Sequence, residues 1–242
     1  MEDPHKSFRR AAVFGASGGI GRALCEALVG RGIEVWAGCR SGETGLAGAR
    51  GFRFDLTDEP SIERAAGLMQ DAPPDLVIVA SGVLTLEDAT GPERTYRSLN
   101  GAAMERVFRL NTIGPALVAK HVLPLFDRSE RSVFAALSAR VGSLGDNRLG
   151  GWHSYRASKA ALNMLLRNFA IELGRTHKHA IVAGLHPGTV DTALSEPFQG
   201  NLPEGQLTTP SEAAQNLLAV IDRLSPQDSG KVFDWKGAPV PD

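Results

Sequence analysis

The chain has 242 residues, with 26 Lys+Arg against 27 Asp+Glu and a formal net charge of -1. That length suits one large domain or two small ones, with a core large enough to need no covalent staples. The near-neutral balance excludes a dedicated nucleic-acid binder, the two cysteines exclude a disulfide framework, and no apolar run approaches the roughly 18 residues of a membrane helix. The polar start, MEDPHKSFRR, has no apolar segment of signal-peptide type, so a reducing cytoplasm is the expected location. Cys25 and Cys39 lack zinc-type spacing, and no metal is expected. Glycine stands out, with 27 residues where average usage would give about 17.

In chain order, Ala11–Phe14 is a short apolar strand, followed by glycines and a helix over Ile20–Val29. Ile33–Ala37 and Phe52–Asp55 read as strands, and Pro60–Met69 as a helix. Leu76–Ala80 is a wholly apolar strand, and a long helical stretch runs Gly101–Phe126. Val133–Leu137 is a strand, Tyr155–Leu173 a helix, and Ile181–Leu185 another strand. Thr209-Pro210-Ser211-Glu212 is a capping box with proline at the first helical position, opening a helix to about Leu224. Val232–Phe233 closes as a seventh strand. Alternating strands and helices imply right-handed crossovers and a parallel sheet with helices on both faces. The predicted class is a doubly wound α/β Rossmann fold, one seven-stranded domain over residues 1–242. The Gly/Pro-rich segment within about 189–210 reads as a loop over a site, with Leu194, Pro197, Phe198 and Leu202 as lid residues.

Gly15-Ala16-Ser17-Gly18-Gly19-Ile20-Gly21 joins the first strand to the first helix. Glycines there allow a tight turn and a close approach to a pyrophosphate, and the helix N-terminus offers free N–H groups. An NAD site usually has an acid after the second strand; here that strand ends Ala37-Gly38-Cys39-Arg40-Ser41. Arg40 suits a 2′-phosphate, so NADP(H) is preferred over NAD(H). Asp55, at the end of the third strand, can accept from an adenine amino group. Tyr155 and Lys159 stand four apart on one helix face, so an ammonium lies beside a phenol and is expected to lower its pKa. That makes Tyr155 a candidate general acid for a carbonyl oxygen.

In GASGGIG, Asp55-Leu56, Asn111 of NTIGP, Tyr155 and Lys159 of YRASKAALN, and His186-Pro187-Gly188-Thr189, the chain resembles the short-chain dehydrogenase/reductase family from Phe14 to about Phe233. SARVGS, LHPGTVDT and the SGKVFDW tail resemble its C-factor or sniffer-like carbonyl reductase branch. The resemblance implies an NADP(H)-dependent oxidoreductase acting on a small carbonyl or alcohol substrate. Tyr155 would be the acid/base, Lys159 would bind the nicotinamide ribose, and Asn111 would hold a relay water. Thr189, after Pro187 and Gly188, would meet the nicotinamide carboxamide. A homodimer or homotetramer through the two long helices is also implied. A nucleotide-binding signalling or regulatory protein with little turnover is the competing reading.

Two segments depart from the family's pattern. Asn-Ala-Gly after the fourth strand is here Ala80-Ser81-Gly82, with Ser81 placed to supply some of the lost hydrogen bonding. The family's serine three residues before a glycine falls on Ala139, counting back from Gly142. Ser138 through a backbone shift is the preferred substitute, Ser143 the second, and absence of the hydroxyl the third. Of the glycine surplus, the four in the turn, Gly82 and Gly188 at the nicotinamide edge, and Gly142, Gly145, Gly150 and Gly151 before Tyr155 are expected at the site.

Overall fold

The computed structural model describes residues 8–86, 91–201 and 207–242. Its elements run β1 (Arg10–Phe14), α1 (Gly19–Gly30), β2 (Glu34–Cys39), β3 (Ala49–Arg53), α2 (Glu59–Gly67) and β4 (Leu76–Val79). There follow α3 (Gly101–Phe108), a π turn (Arg109–Ile113), α4 (Gly114–Val122), β5 (Ser132–Leu137), α5 (His153–Leu173) and β6 (Ala180–His186). Last come β7 (Thr189–Val190), β8 (Leu207–Thr208), α6 (Pro210–Arg223) and β9 (Val232–Asp234). Seven strands form one parallel sheet in the order β3-β2-β1-β4-β5-β6-β9. The order reverses between β1 and β4, and ligands of such sheets bind at the carboxyl edge of that switch point.

Alternation along each strand builds two cores. Ala11 and Val13 of β1 face one side, with Leu24 and Leu28 of α1 and Leu217, Leu218 and Ile221 of α6. Ala12 and Phe14 face the other, with Val118 and Val122 of α4 and Leu162 and Leu166 of α5. Strands covered on both faces can be apolar throughout, so β4 (Leu-Val-Ile-Val) is buried at every position. Phe14 meets Phe52 and Phe54 edge-on, with ring centroids 5.1 and 5.0 Å apart, which ties β1 to the end of β3.

The expected doubly wound seven-stranded sheet is present. The long helical stretch before β5 is present, with a π bulge inside it where Pro115 has no N–H to give the carbonyl four residues earlier. The π turn lies just before it, where Gly114 N bonds Arg109 O instead. The third strand forms earlier than expected, over Ala49–Arg53, because pairing with β2 runs from Val35–Ala49 to Cys39–Arg53. The segment after β6 is tied at both ends: Thr189 pairs with Leu207 and Val190 with Thr208. Residues 202–206, and with them Leu202, lie outside the described residues. The capping box forms as read: Glu212 N donates to Thr209 Oγ1 at 3.2 Å, and Thr209 N donates to Glu212 Oε2 at 2.9 Å.

Candidate functional site

A cavity of about 1160 Å³ opens along the carboxyl edge of the sheet. Single ligand pockets commonly hold about 300–1,000 Å³, so this one has room for two bound molecules.

At its first end, the chain leaves β1 through Gly15, whose φ of 111° favours glycine. A Cβ there would also lie 2.4 Å from Ser81 Oγ. Gly15 N and Ala16 N donate to Gly38 O at 3.0 and 2.8 Å, which closes the turn. α1 then starts with Gly18 as N-cap, no side-chain cap and no acid in its first turn. Its leading N–H groups and positive dipole end are therefore available to an anion. Gly15, Ser17, Gly19 and Ile20 line the cavity, whereas Gly21 is buried outside its wall. This uncapped terminus behind a glycine turn fits the pyrophosphate of a dinucleotide.

Arg40, just beyond β2, lines the same end, with Asp55 and Leu56. Asp55 Oδ1 accepts from Thr57 N at 2.8 Å and Thr57 Oγ1 at 2.7 Å. Those bonds, helped by the Arg40 charge, hold the carboxyl below its ordinary range, so Asp55 is ionised. It both builds the turn and borders the cavity.

In the middle, Ala80, Ser81 and Gly82 follow β4 and line the wall. Ser81 Oγ donates to Phe14 O at 3.2 Å. Asn111 does not reach the cavity; its side chain is wholly buried. Val83 N donates to Asn111 Oδ1 at 2.8 Å, and Asn111 Nδ2 donates to Val83 O at 2.8 Å and Ser158 Oγ at 3.2 Å. A Cβ on Gly82 would lie 3.0 Å from Asn111 Oδ1, so glycine permits the clamp. What Asn111 can still offer is its main-chain carbonyl, left without an i+4 donor by Pro115.

At the far end, α5 carries Tyr155 and Lys159 into the cavity. Lys159 Nζ donates to Leu137 O, the last residue of β5, at 2.7 Å and lies 5.8 Å from the Tyr155 ring centroid. Burial pushes the Tyr155 hydroxyl up to about 12 and the Lys159 ammonium down to about 8. The expected lowering of Tyr155 by its neighbour is thus not found; desolvation of both groups wins. Pro187, Gly188 and Thr189 line the wall after β6.

The two candidate serines separate. Ser138 lines the cavity, but its Oγ donates to Asn163 Oδ1 at 2.6 Å. Ser143 is buried outside the wall and its Oγ accepts from Asp146 N at 3.0 Å. Ala139 lines the cavity between them in sequence. Asn163 went unread, although it continues the face of Tyr155 and Lys159 by another four residues. His186 is also new: it lines the cavity, its Nδ1 is buried without a partner, and burial pushes its pKa down to about 4. Of the ten glycines expected at the site, Gly15, Gly18, Gly19, Gly82 and Gly188 line the cavity. Gly142 instead lets its turn pack on α5, where a Cβ would meet Lys159 Cβ at 2.8 Å. Among the described residues no cluster of three or more His, Cys, Asp or Glu suits a metal ion, and no helix is long and apolar enough to cross a membrane.

A family model described as short chain dehydrogenase matches residues 9–202. A 1-hydroxy-2-glutathionyl-2-methyl-3-butene dehydrogenase of Rhodococcus sp. (strain AD45) is 35% identical over 225 residues, covering 90% of this chain and 93% of its own. The C-signal protein of Myxococcus xanthus is 35% identical over 169 residues, covering 70% of this chain and 93% of its own. Among solved structures, an NADPH-bound carbonyl reductase from chicken fatty liver has a TM-score of 0.81 at 25% identity, covering 96% of this chain and 94% of that one. Carbonyl reductase Sniffer of D. melanogaster has a TM-score of 0.82 at 18% identity, covering 97% of this chain and all of the other (100%), a likeness of fold.

Proposed function

The chain belongs to the short-chain dehydrogenase family and is an oxidoreductase; from that premise we propose that it uses NADP(H) to reduce a carbonyl substrate, with Tyr155 as proton donor. The observation that carries this is the shared cavity. An uncapped helix N-terminus for phosphates lies at one end, and Tyr155 beside the anchored Lys159 lies at the other. The likeness to an NADPH-bound carbonyl reductase supports it.

The cofactor, when bound, supplies the hydride in the reducing direction. The Tyr155 hydroxyl stays protonated at neutral pH because burial raises its pKa, and that is the form a proton donor needs. Below about 8, Lys159 is an ammonium, held in place by Leu137 O. Its charge stabilises the phenolate left on Tyr155 after transfer. Asn111 shapes the segment at Gly82–Val83 with its side chain, and its carbonyl, to which Pro115 cannot donate, would hold a water that returns the proton. Ser138 is the substrate's second donor, which requires its hydroxyl to turn from Asn163. Ser17, Gly19 and Ile20 would hold the pyrophosphate, Asp55 and Leu56 the adenine, and Pro187, Gly188 and Thr189 the nicotinamide edge. Arg40 would hold the 2′-phosphate, since the last residue of β2 is Cys39 and no acid stands there. The described residues 189–201 after β6 would cover the substrate, with Leu194 in the cavity wall.

A second reading, nucleotide binding for signalling with little turnover, draws on the likeness to C-signal and on the engaged Ser138 hydroxyl. One assay separates the two: a panel of aldehydes and ketones, followed by cofactor absorbance with NADPH and with NADH. Carbonyl-dependent consumption is expected, with NADPH favoured by at least about tenfold, a preference of roughly 1.4 kcal/mol. Arg40→Glu is expected to reverse the preference. Absence of turnover across the panel, with NADPH bound, supports the signalling reading instead.

A further inference from the structure

The charge around the cavity is uneven. Its wall carries six arginines and Lys159 against two aspartates, in a chain whose formal net charge is only -1. Some of this serves the nucleotide end: Arg40 lies beyond β2, and Arg109 Nη2 donates to Thr57 O at 2.8 Å. Three arginines lie at the other end, all from the segment between β5 and the first turn of α5. Arg140, Arg148 and Arg156 line the cavity together with Tyr155, from the connection that leads from β5 into α5.

Their partners leave capacity over. Arg140 Nε bonds Asp146 Oδ2 at 2.5 Å, which engages the aspartate of this end. Arg148 is exposed, and its Nη1 reaches only the neighbouring Asn147 carbonyl at 3.3 Å. Arg156 follows Tyr155 directly; its Nη1 donates to Val141 O at 3.2 Å, while its Nε is buried with no hydrogen-bond partner. A nearby carboxylate, Glu93, is also spent: it accepts from Ser154 N at 3.1 Å and from Ser154 Oγ, and does not line the cavity. A planar fork beside the reacting group suits a planar oxyanion.

Resting on the reductase reading, we propose that the substrate carries a carboxylate on the side away from its reacting carbonyl, bound by Arg156 and Arg148, with Arg140 adding charge. Neutral carbonyl compounds bring no charge to pair with these guanidiniums and bind more weakly. The subsite selects substrates by charge, and its location beyond Tyr155 sets the distance between carboxylate and carbonyl.

The test compares 4-carboxybenzaldehyde with its neutral methyl ester as substrates for NADPH-dependent reduction. The acid is expected to have a kcat/KM at least about tenfold higher at low salt, mostly through KM. The ratio should shrink with added salt because Arg148 is exposed. Arg148→Gln and Arg156→Gln should each bring the ratio toward one; Arg148 lies on a loop, so its replacement spares the fold. Binding is read separately by calorimetry on the Tyr155→Phe protein, with the same two probes. Tighter binding of the acid, lost in Tyr155→Phe carrying Arg148→Gln, supports the subsite even if the wild type reduces neither probe, and that outcome counts against the reductase reading alone. Equal binding of acid and ester, or a ratio untouched by either arginine replacement, overturns the subsite.

Discussion

At the scale of single residues, the site depends on which hydroxyls remain available. Ser138 lines the cavity with its proton given to Asn163, and Ser143 is spent on the Asp146 turn. If Ser138 turns to the substrate, Ser138→Ala should lower kcat/KM by about 10²-fold, the low end for one oxyanion donor. Ser143→Ala should leave it near wild type, since that hydroxyl is outside the cavity wall. Steady-state rates on one good substrate check both, and an unaffected Ser138→Ala enzyme would remove serine from the mechanism. Much at this scale was legible from order along the chain: most of GASGGIG, with Tyr155, Lys159 and Pro187–Thr189, comes to one cavity. What was not legible is solvation. Four-residue spacing brings Tyr155 and Lys159 together, but their protonation follows from burial by other elements, and this reversed the expected tyrosine shift. Gly21 and Asn111 carry the expected motif yet lie behind the wall, because spacing gives a face and not a depth.

At the scale of elements, the π bulge between α3 and α4 is the feature whose proposed role can be tested. Apolar periodicity runs through Gly101–Phe126 and reads as one helix, since periodicity does not register a missing N–H. Pro115 removes the donor that would close on Asn111, and the π turn before it sets Asn111 against Val83. Pro115→Ala restores that donor. We expect it to keep the far-UV circular dichroism and a Tm within a few degrees, while kcat falls about tenfold or more if the Asn111 carbonyl holds the proposed relay water. An unchanged kcat in a well-folded variant would mean that the carbonyl takes no part. The small sheet of β7 and β8 was likewise unread, because two-residue strands leave no alternation to detect.

At the scale of the whole molecule, the doubly wound sheet followed from alternating elements, while details of register did not, as β3 shows. The cover of the outer helices is incomplete: Met164 and Ile171 on α5 are 62% and 54% exposed, and Ile113 before α4 is 40% exposed. Apolar side chains on adjoining helices suit a second copy of the chain, in line with the expected homodimer or homotetramer. Light scattering coupled to size exclusion should give two or four times the chain mass, and Met164→Glu should shift it toward the monomer. A monomeric wild type at micromolar concentration would count against that assembly.

The central claim is that Tyr155 delivers the proton to a carbonyl oxygen in a cavity that also holds NADPH. The most direct measurement compares wild type and Tyr155→Phe in NADPH-dependent carbonyl reduction at pH 7, with NADPH affinity measured on both by fluorescence. The account predicts a fall in kcat of about 10²–10⁴-fold with cofactor affinity kept within a few-fold. A Tyr155→Phe protein that reduces carbonyls as fast as the wild type, with NADPH bound equally well, would contradict it.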